Sequence, residues 1–220
     1  MAMDDPKELA RLLRKPQGAA GVEVASRLNS SNIHITQHTY ACVQPKRGDK
    51  ILEIGFGNGK LMPLLLALAP DIVLSGIDFS ETMVEEAKIH LSQEIERGSI
   101  EIKLGSSEAI PYPDNFFDSV CTINTLYFWE NPTEDALEIE RVLKPGGKLF
   151  VGIRPKTEAE AMEFTKYGFT LYHPDEAAGL LKKAGFVNTH VSEKKDPPVV
   201  FNNIERVLTS CCIIVTKPGA

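Results

Sequence analysis

No stretch of this chain is apolar for long enough to cross a bilayer. The longest, such as residues 61–69, fall far short of the roughly 20 residues a spanning helix needs. The first residues, MAMDDPKELARLLRKP, carry acids early and lack an apolar core, so no signal peptide is expected there. Long basic runs are also missing. With 24 basic and 30 acidic side chains the formal net charge is −6. That balance disfavours nucleic acid as an obligatory partner and leaves only a local basic face open, at Lys182 and Lys183 or at Lys194 and Lys195. Cysteine is scarce and unpatterned. Cys42, Cys121, Cys211 and Cys212 show no metal-ligand spacing, and Cys211 and Cys212 fall in an expected strand, pointing to opposite faces. They read as reduced core thiols of a cytoplasmic protein, and no metal is expected. Repeats and low-complexity tracts are absent as well.

What is present fits one domain over residues 1–220. The chain is 43% hydrophobic and 25% charged, long enough to bury a proper core. From residue 50 onward, strand-like and helix-like segments alternate. Strands are expected at 51–54, 72–77, 100–104, 117–124, 148–153, 186–192 and 208–216. Helices are expected at 61–69, with Asn58 as its cap, and at 81–95, with Ser80 as N-cap. Two more are expected at 136–143, between Pro132 and Pro145, and at 174–184, ended by Gly185. This alternation demands a mostly parallel sheet covered on both faces. The last two strands have only a short span with Pro197 and Pro198 between them, so a hairpin-like, antiparallel edge is expected. Residues 1–45 read as one or two covering helices. Residues 154–173 read as an insertion over one end of the sheet, and 174–220 as the C-terminal part of that sheet.

Residues 51–60, ILEIGFGNGK, carry the most functional information. An apolar strand bearing Glu53 runs into Gly55, Gly57 and Gly59, a loop that lets a ligand approach the main chain. In open α/β sheets ligands bind beyond the carboxyl ends of the strands. Three further strand ends carry usable groups: Asp78, then Ser106 and Ser107, then Asn124 and Thr125. A carboxylate at 78 can accept hydrogen bonds from both hydroxyls of an unmodified ribose. Each element also has a plain structural reading: a tight turn for the glycines, a helix cap for Asp78, ordinary loop residues for the serines and local backbone bonding for Asn124. Their succession at consecutive strand ends favours a ligand. The dinucleotide pattern G-x-G-x-x-G has Lys60 where its third glycine belongs, and no phosphate-binding G-x-x-x-x-G-K-[ST] loop exists. A nucleoside without a pyrophosphate fits best.

The chain resembles the class I S-adenosylmethionine-dependent methyltransferases, in the small-molecule branch like the ubiquinone/menaquinone-biosynthesis enzymes. The residues that carry the resemblance are LEIGFGNGK at 52–60, GIDFS at 76–80, EAIPYPDNFFD at 108–118, RVLKPGGKLFVG at 141–152 and HPDEAAGLLKKAGF at 173–186. It implies a Rossmann-like, doubly wound sheet of seven strands with the last one antiparallel, and S-adenosylmethionine as cofactor. It implies that backbone around Gly55, Phe56, Gly57, Asn58 and Gly59 meets the methionine portion, with Glu53 supporting the loop. Asp78 would bind the ribose, and Phe79 and Met83 would pack near the adenine. Family members often have Asp-Ala at the positions of Ser106 and Ser107, where the Asp accepts the adenine amino group; here that contact would fall to a neutral hydroxyl. Asn124 and Thr125 would border the methionine end. His38, Tyr40, Tyr127 and Trp129 are candidates for the substrate pocket, and Asn29 and Asn32 for closing over the cofactor. No catalytic base is identified. The implied reaction is in-line methyl transfer to an O, N or C nucleophile of a small molecule. Two alternatives remain at this level: a non-catalytic protein that binds S-adenosylmethionine, and an NAD-dependent oxidoreductase, since Asp78 suits that ribose equally.

Overall fold

A computed structural model describes residues 5–201 and 204–219. Two helices open the chain, α1 (Pro6–Arg14) and α2 (Gly18–Val43). The alternating part follows: β1 (Lys50–Ile54), α3 (Met62–Leu66), β2 (Val73–Asp78), α4 (Glu81–His90), α5 (Ser92–Glu96), β3 (Ile100–Leu104), β4 (Phe117–Ile123), α6 (Pro132–Val142) and β5 (Leu143–Ile153). Next come α7 (Lys156–Ala159), α8 (Pro174–Lys183), β6 (Val187–Lys195), a small hairpin of β7 (Val199–Phe201) and β8 (Ile204–Arg206), and β9 (Thr209–Thr216).

Seven strands form one sheet in the order β3-β2-β1-β4-β5-β9-β6. β1 to β5 run parallel, and β9 is antiparallel to both its neighbours. The expected antiparallel last strand is present. It slots between β5 and β6, so β6 forms the outer edge of that hairpin. The order reverses at β1, because β2 lies on one side of it and β4 on the other. The carboxyl ends of β1, β2 and β4 therefore open onto the crevice where such sheets take their ligands.

The central strands are buried on both faces, which is why they read as near-continuous apolar runs rather than alternating ones. Ile51, Leu52, Leu74, Ile77 and Val120 are fully enclosed. Two cores result, one on each face of the sheet. One gathers Leu52, Val120, Leu149, Ile139 and Phe186 under α6 and α8, and the other gathers Tyr40, Ile51, Met62, Leu74 and Phe150 under α2 and α4.

Local chemistry sets most of the helix ends. The Ser80 hydroxyl accepts from Met83 N at 3.2 Å and caps α4. Pro132 begins α6, and Glu176 returns a carboxylate to the His173 N–H at 2.8 Å to start α8. Two expected helices come out differently. The helix after the glycine loop is one short piece, and Asn58 does not cap it; its Oδ1 accepts from Lys60 N at 3.3 Å. A tight turn, closed by Met62 N to Gly59 O at 3.1 Å, stands between them. The helix expected over 81–95 breaks at Leu91, whose side chain is buried against the glycine loop. β5 begins earlier than the expected 148, with a register shift against β4 around the turn at Gly146.

Candidate active site

The β1 strand delivers its loop at the floor of the crevice. Gly55, Gly57 and Gly59 have φ of 74°, 63° and 76°, the left-handed region that side chains oppose. At two of them contact also forbids a side chain. A Cβ on Gly55 would collide with the Thr125 methyl group. One on Gly59 would stand 2.9 Å from Ala87 Cβ and 2.8 Å from Leu91 Cδ1. Gly59 thus permits the close approach of α4 that a dinucleotide fold obtains from its third glycine, and Lys60 is left free to point into solvent.

Asp78 stands at the end of β2, 6% exposed. Its Oδ2 accepts from Gly57 N at 3.0 Å and its Oδ1 from Ser80 N at 2.9 Å, so one carboxylate ties the first loop to the start of α4. Burial raises its pKa to about 6, against the opposing pull of those two N–H groups. Glu53 lies below the loop. Burial lifts it to about 7, opposed by Tyr40 and assisted by the nearby negative charge of Asp78. The Tyr40 hydroxyl lies 2.9 and 2.8 Å from the two oxygens of Glu53.

These groups border a single cavity of about 960 Å³. It brings together Glu53, Gly55, Phe56, Gly57, Asn58, Asp78, Phe79, Met83, Ser106, Ser107, Asn124, Thr125, Tyr127 and Trp129, together with Asn29 and Asn32. Asn124 holds a left-handed φ of 58°, and its N–H bonds the Gly152 carbonyl at 2.9 Å. Gly59 is not in the wall; it serves the packing of α4. His38 and Tyr40 do not line the cavity either, which corrects their placement at the substrate pocket. His38 bonds the Ser192 carbonyl at 3.1 Å, and Tyr40 is spent on Glu53. The reason is where they sit on α2. The first part of that helix crosses the cavity with Val24, Leu28, Asn32 and Thr36, a stripe at i, i+4 spacing, while its last turns pack on the sheet. That stripe was available in the sequence as a signal.

The remaining walls come from elements with no motif. Leu9 and Leu13 of α1 form part of the cover. The α1–α2 junction is pinned to α4 by Ser80 Oγ to Pro16 O at 2.5 Å and Gly18 N to Thr82 Oγ1 at 3.2 Å. Residues after β5 add Met162, Phe164, Phe169 and Leu171. Phe169 packs edge-on to Phe128 at 4.5 Å between ring centres and also meets Tyr127 and Phe164. Arg154, 8% exposed, is paired with Asp196 and bonded to Ser210.

A model of the methyltransferase domain matches residues 52–151. The chain is 32% identical to the uncharacterized methyltransferase YdaC of Bacillus subtilis over 191 residues, covering 86% of this chain and 95% of that protein. The chain belongs to the class I S-adenosylmethionine-dependent methyltransferases. A demethylmenaquinone methyltransferase of Symbiobacterium thermophilum is 33% identical over 126 residues; that match spans about half of the relative's length, 49%, and 57% of this chain. Among solved structures, a methyltransferase of Thermotoga maritima described as a possible histamine N-methyltransferase superposes with a TM-score of 0.68 at 26% identity, covering 89% of this chain and 96% of the other. Membership decides between the alternatives that the residues left open: the protein is an enzyme, and S-adenosylmethionine is its methyl donor. The methyltransferase site suits that cofactor on its own geometry. Its floor holds the buried carboxylate of Asp78, which at a pKa of about 6 is mostly charged at neutral pH and favours a cationic ligand, and the buried Arg154 in its wall is already neutralised by Asp196. Among the described residues no helix is long and apolar enough to cross a membrane.

Proposed function

We propose that this methyltransferase moves the methyl group to an O, N or C nucleophile of a small, mainly apolar acceptor. The observation that carries the reading is the division of one cavity into two halves. One half has the glycine loop and Asp78, tied together through Gly57 N; the other is walled by Tyr127, Phe128, Phe164 and Phe169, linked through ring contacts, with Trp129 beside them in sequence. At about 960 Å³ the cavity lies at the top of the range of roughly 300–1,000 Å³ usual for one small-molecule site, which suits a cofactor together with a second molecule.

Backbone at Gly55, Gly57 and Asn58 would hold the methionine portion, with Glu53 bracing the loop from below. Asp78 would accept both ribose hydroxyls, and Phe79, Met83, Ser106 and Ser107 would enclose the base. Asn124 and Thr125 stand where the two halves meet. When bound, the sulfonium supplies a methyl group that is already activated. The chain's own task is to orient the acceptor in line with it and to keep water out, and orientation of this kind lowers a barrier by roughly 7–11 kcal/mol. α1 and the segment around Phe164 close the apolar half from outside. No histidine lines the cavity among the described residues, and the Tyr127 hydroxyl, its pKa pushed far up by burial, is engaged with the Arg154 backbone. An acceptor whose nucleophile is electron-rich without a protein base fits this lining. The small molecule in the name of the Symbiobacterium relative supports an acceptor of that size.

The test is methyl transfer from radiolabelled S-adenosylmethionine to a panel of apolar ring compounds bearing phenol, amine or activated carbon, with peptides and RNA as controls. Labelling of ring compounds alone is expected. Labelling of only the peptides or RNA would overturn the reading.

A further inference from the structure

Two buried side-chain atoms have no hydrogen-bond partner among the described residues, Thr39 Oγ1 and Asp135 Oδ2. Thr39 lies against Gly152, away from the cavity. Asp135 lines it. This side chain is 1% exposed, its Oδ1 receives the Ser107 hydroxyl, and burial raises its carboxyl above the usual range. A bare carboxylate oxygen in the interior is expensive and calls for a partner. Asp135 shares the first turn of α6 with Glu134, where the helix dipole favours negative charge, but the dipole supplies no hydrogen-bond partner to Oδ2.

Its position defines the partner. Gly105 N donates to the Asp78 carbonyl at 3.0 Å, so the loop after β3 starts beside the ribose carboxylate. Two residues on, Ser107 reaches Asp135. The loop is then latched to α6 by Ile110 N to Glu138 Oε1 at 2.8 Å and by Arg141 to the Ile110 and Tyr112 carbonyls at 3.1 and 3.0 Å. Asp78 and Asp135 are thus joined by one fixed wall, and a nucleoside seated on Asp78 lays its base along it. Neither 106 nor 107 is acidic; Glu108 also borders the cavity, but as an exposed side chain, whereas Asp135 is the buried carboxylate in that wall.

We propose that Asp135, held by Ser107, accepts an N–H of the adenine 6-amino group and selects adenine over a 6-oxo purine. The proposal rests on the cofactor reading of this cavity. A 6-oxo base would set an acceptor oxygen against the carboxylate, and sites built around a specific hydrogen bond reject analogues that lack it.

Titration calorimetry on the full chain compares S-adenosylhomocysteine with S-inosylhomocysteine. Wild type is expected to prefer the adenosyl compound at least tenfold. Asp135→Asn is expected to lose most of that preference, because a carboxamide offers a donor as readily as an acceptor. Ser107→Ala is expected to keep the preference while weakening both ligands. The ratio between the ligands reports recognition, which a purely structural role of Asp135 would not move. Equal binding of both ligands by wild type, a result that needs no variant, would overturn the proposal. So would an unchanged preference in Asp135→Asn. Wild type that binds neither ligand would instead bring down the cofactor reading, and the proposal with it.

Discussion

Replacing Tyr40 by Phe removes one hydroxyl and no packing volume from a site that is 2% exposed. That hydroxyl is the donor for Glu53, reaching its two oxygens at 2.9 and 2.8 Å. A hydrogen bond to a charged group contributes about 1.5–3 kcal/mol, against about 1 kcal/mol for a neutral pair. At 1.36 kcal/mol per pH unit, losing that difference of about 0.5–2 kcal/mol moves Glu53 upward by about 0.4–1.5 units from its present value of about 7. Because the folded value lies above the unfolded one of 4.5, Glu53 contributes stability that is fully present below pH 4.5 and lost as pH rises through 7. In the variant that loss continues to higher pH. The expected destabilisation is therefore about 1 kcal/mol at pH 5 and about 1.5–3 kcal/mol at pH 8.5. Asp78 titrates in part of the same window but is common to both proteins, so it largely cancels in the difference. Urea denaturation at the two pH values measures the effect, and carbon-13 NMR of the Glu53 carboxyl follows the titration directly. A destabilisation that is the same at pH 5 and 8.5, or a Glu53 titration unmoved from wild type, would refute the reasoning.

Three other outcomes are expected. Asp78→Ala should weaken S-adenosylhomocysteine at least tenfold by calorimetry. In wild type that affinity should fall about tenfold per unit as pH drops below 6, where the carboxylate takes up its proton; a flat profile from pH 5 to 8 would count against the ribose role. Gly55→Ala should cost about 1–2 kcal/mol for its backbone conformation, plus a steric term from the Thr125 methyl. Thr125→Ser in the same chain should recover only the steric part, as read by thermal denaturation. Phe169→Ala opens the aromatic wall and should raise the acceptor KM at least fivefold while leaving the S-adenosylhomocysteine Kd within twofold; a parallel loss of cofactor binding would show that the two halves are not separable.

The sequence by itself determined the sheet and the grouping of the glycine loop with Asp78 at one end of the cavity, and the reason is locality. A glycine loop, Asp78 at a strand end and Ser80 as a cap act within a few residues of themselves, so their spacing is their geometry. The strand–helix alternation then orders the sheet, because parallel strands accept few connections. Even here contacts from afar adjusted the outcome. Leu91 packs on Gly59 and splits a helix that the sequence shows as continuous, and the same packing moves the close-approach glycine from position 60 to 59. The other half of the cavity was decided only by tertiary structure. Tyr127 and Trp129 follow a strand end and were legible. His38 and Tyr40 carried suggestive chemistry but lie on the turns of α2 that face the sheet, whereas Val24, Leu28 and Thr36 carried none and reach the cavity. Asp135 reads in the sequence as one more acid in the first turns of a helix. Only the folded chain sets it against Ser107, 28 residues away, and leaves one of its oxygens bare inside the site.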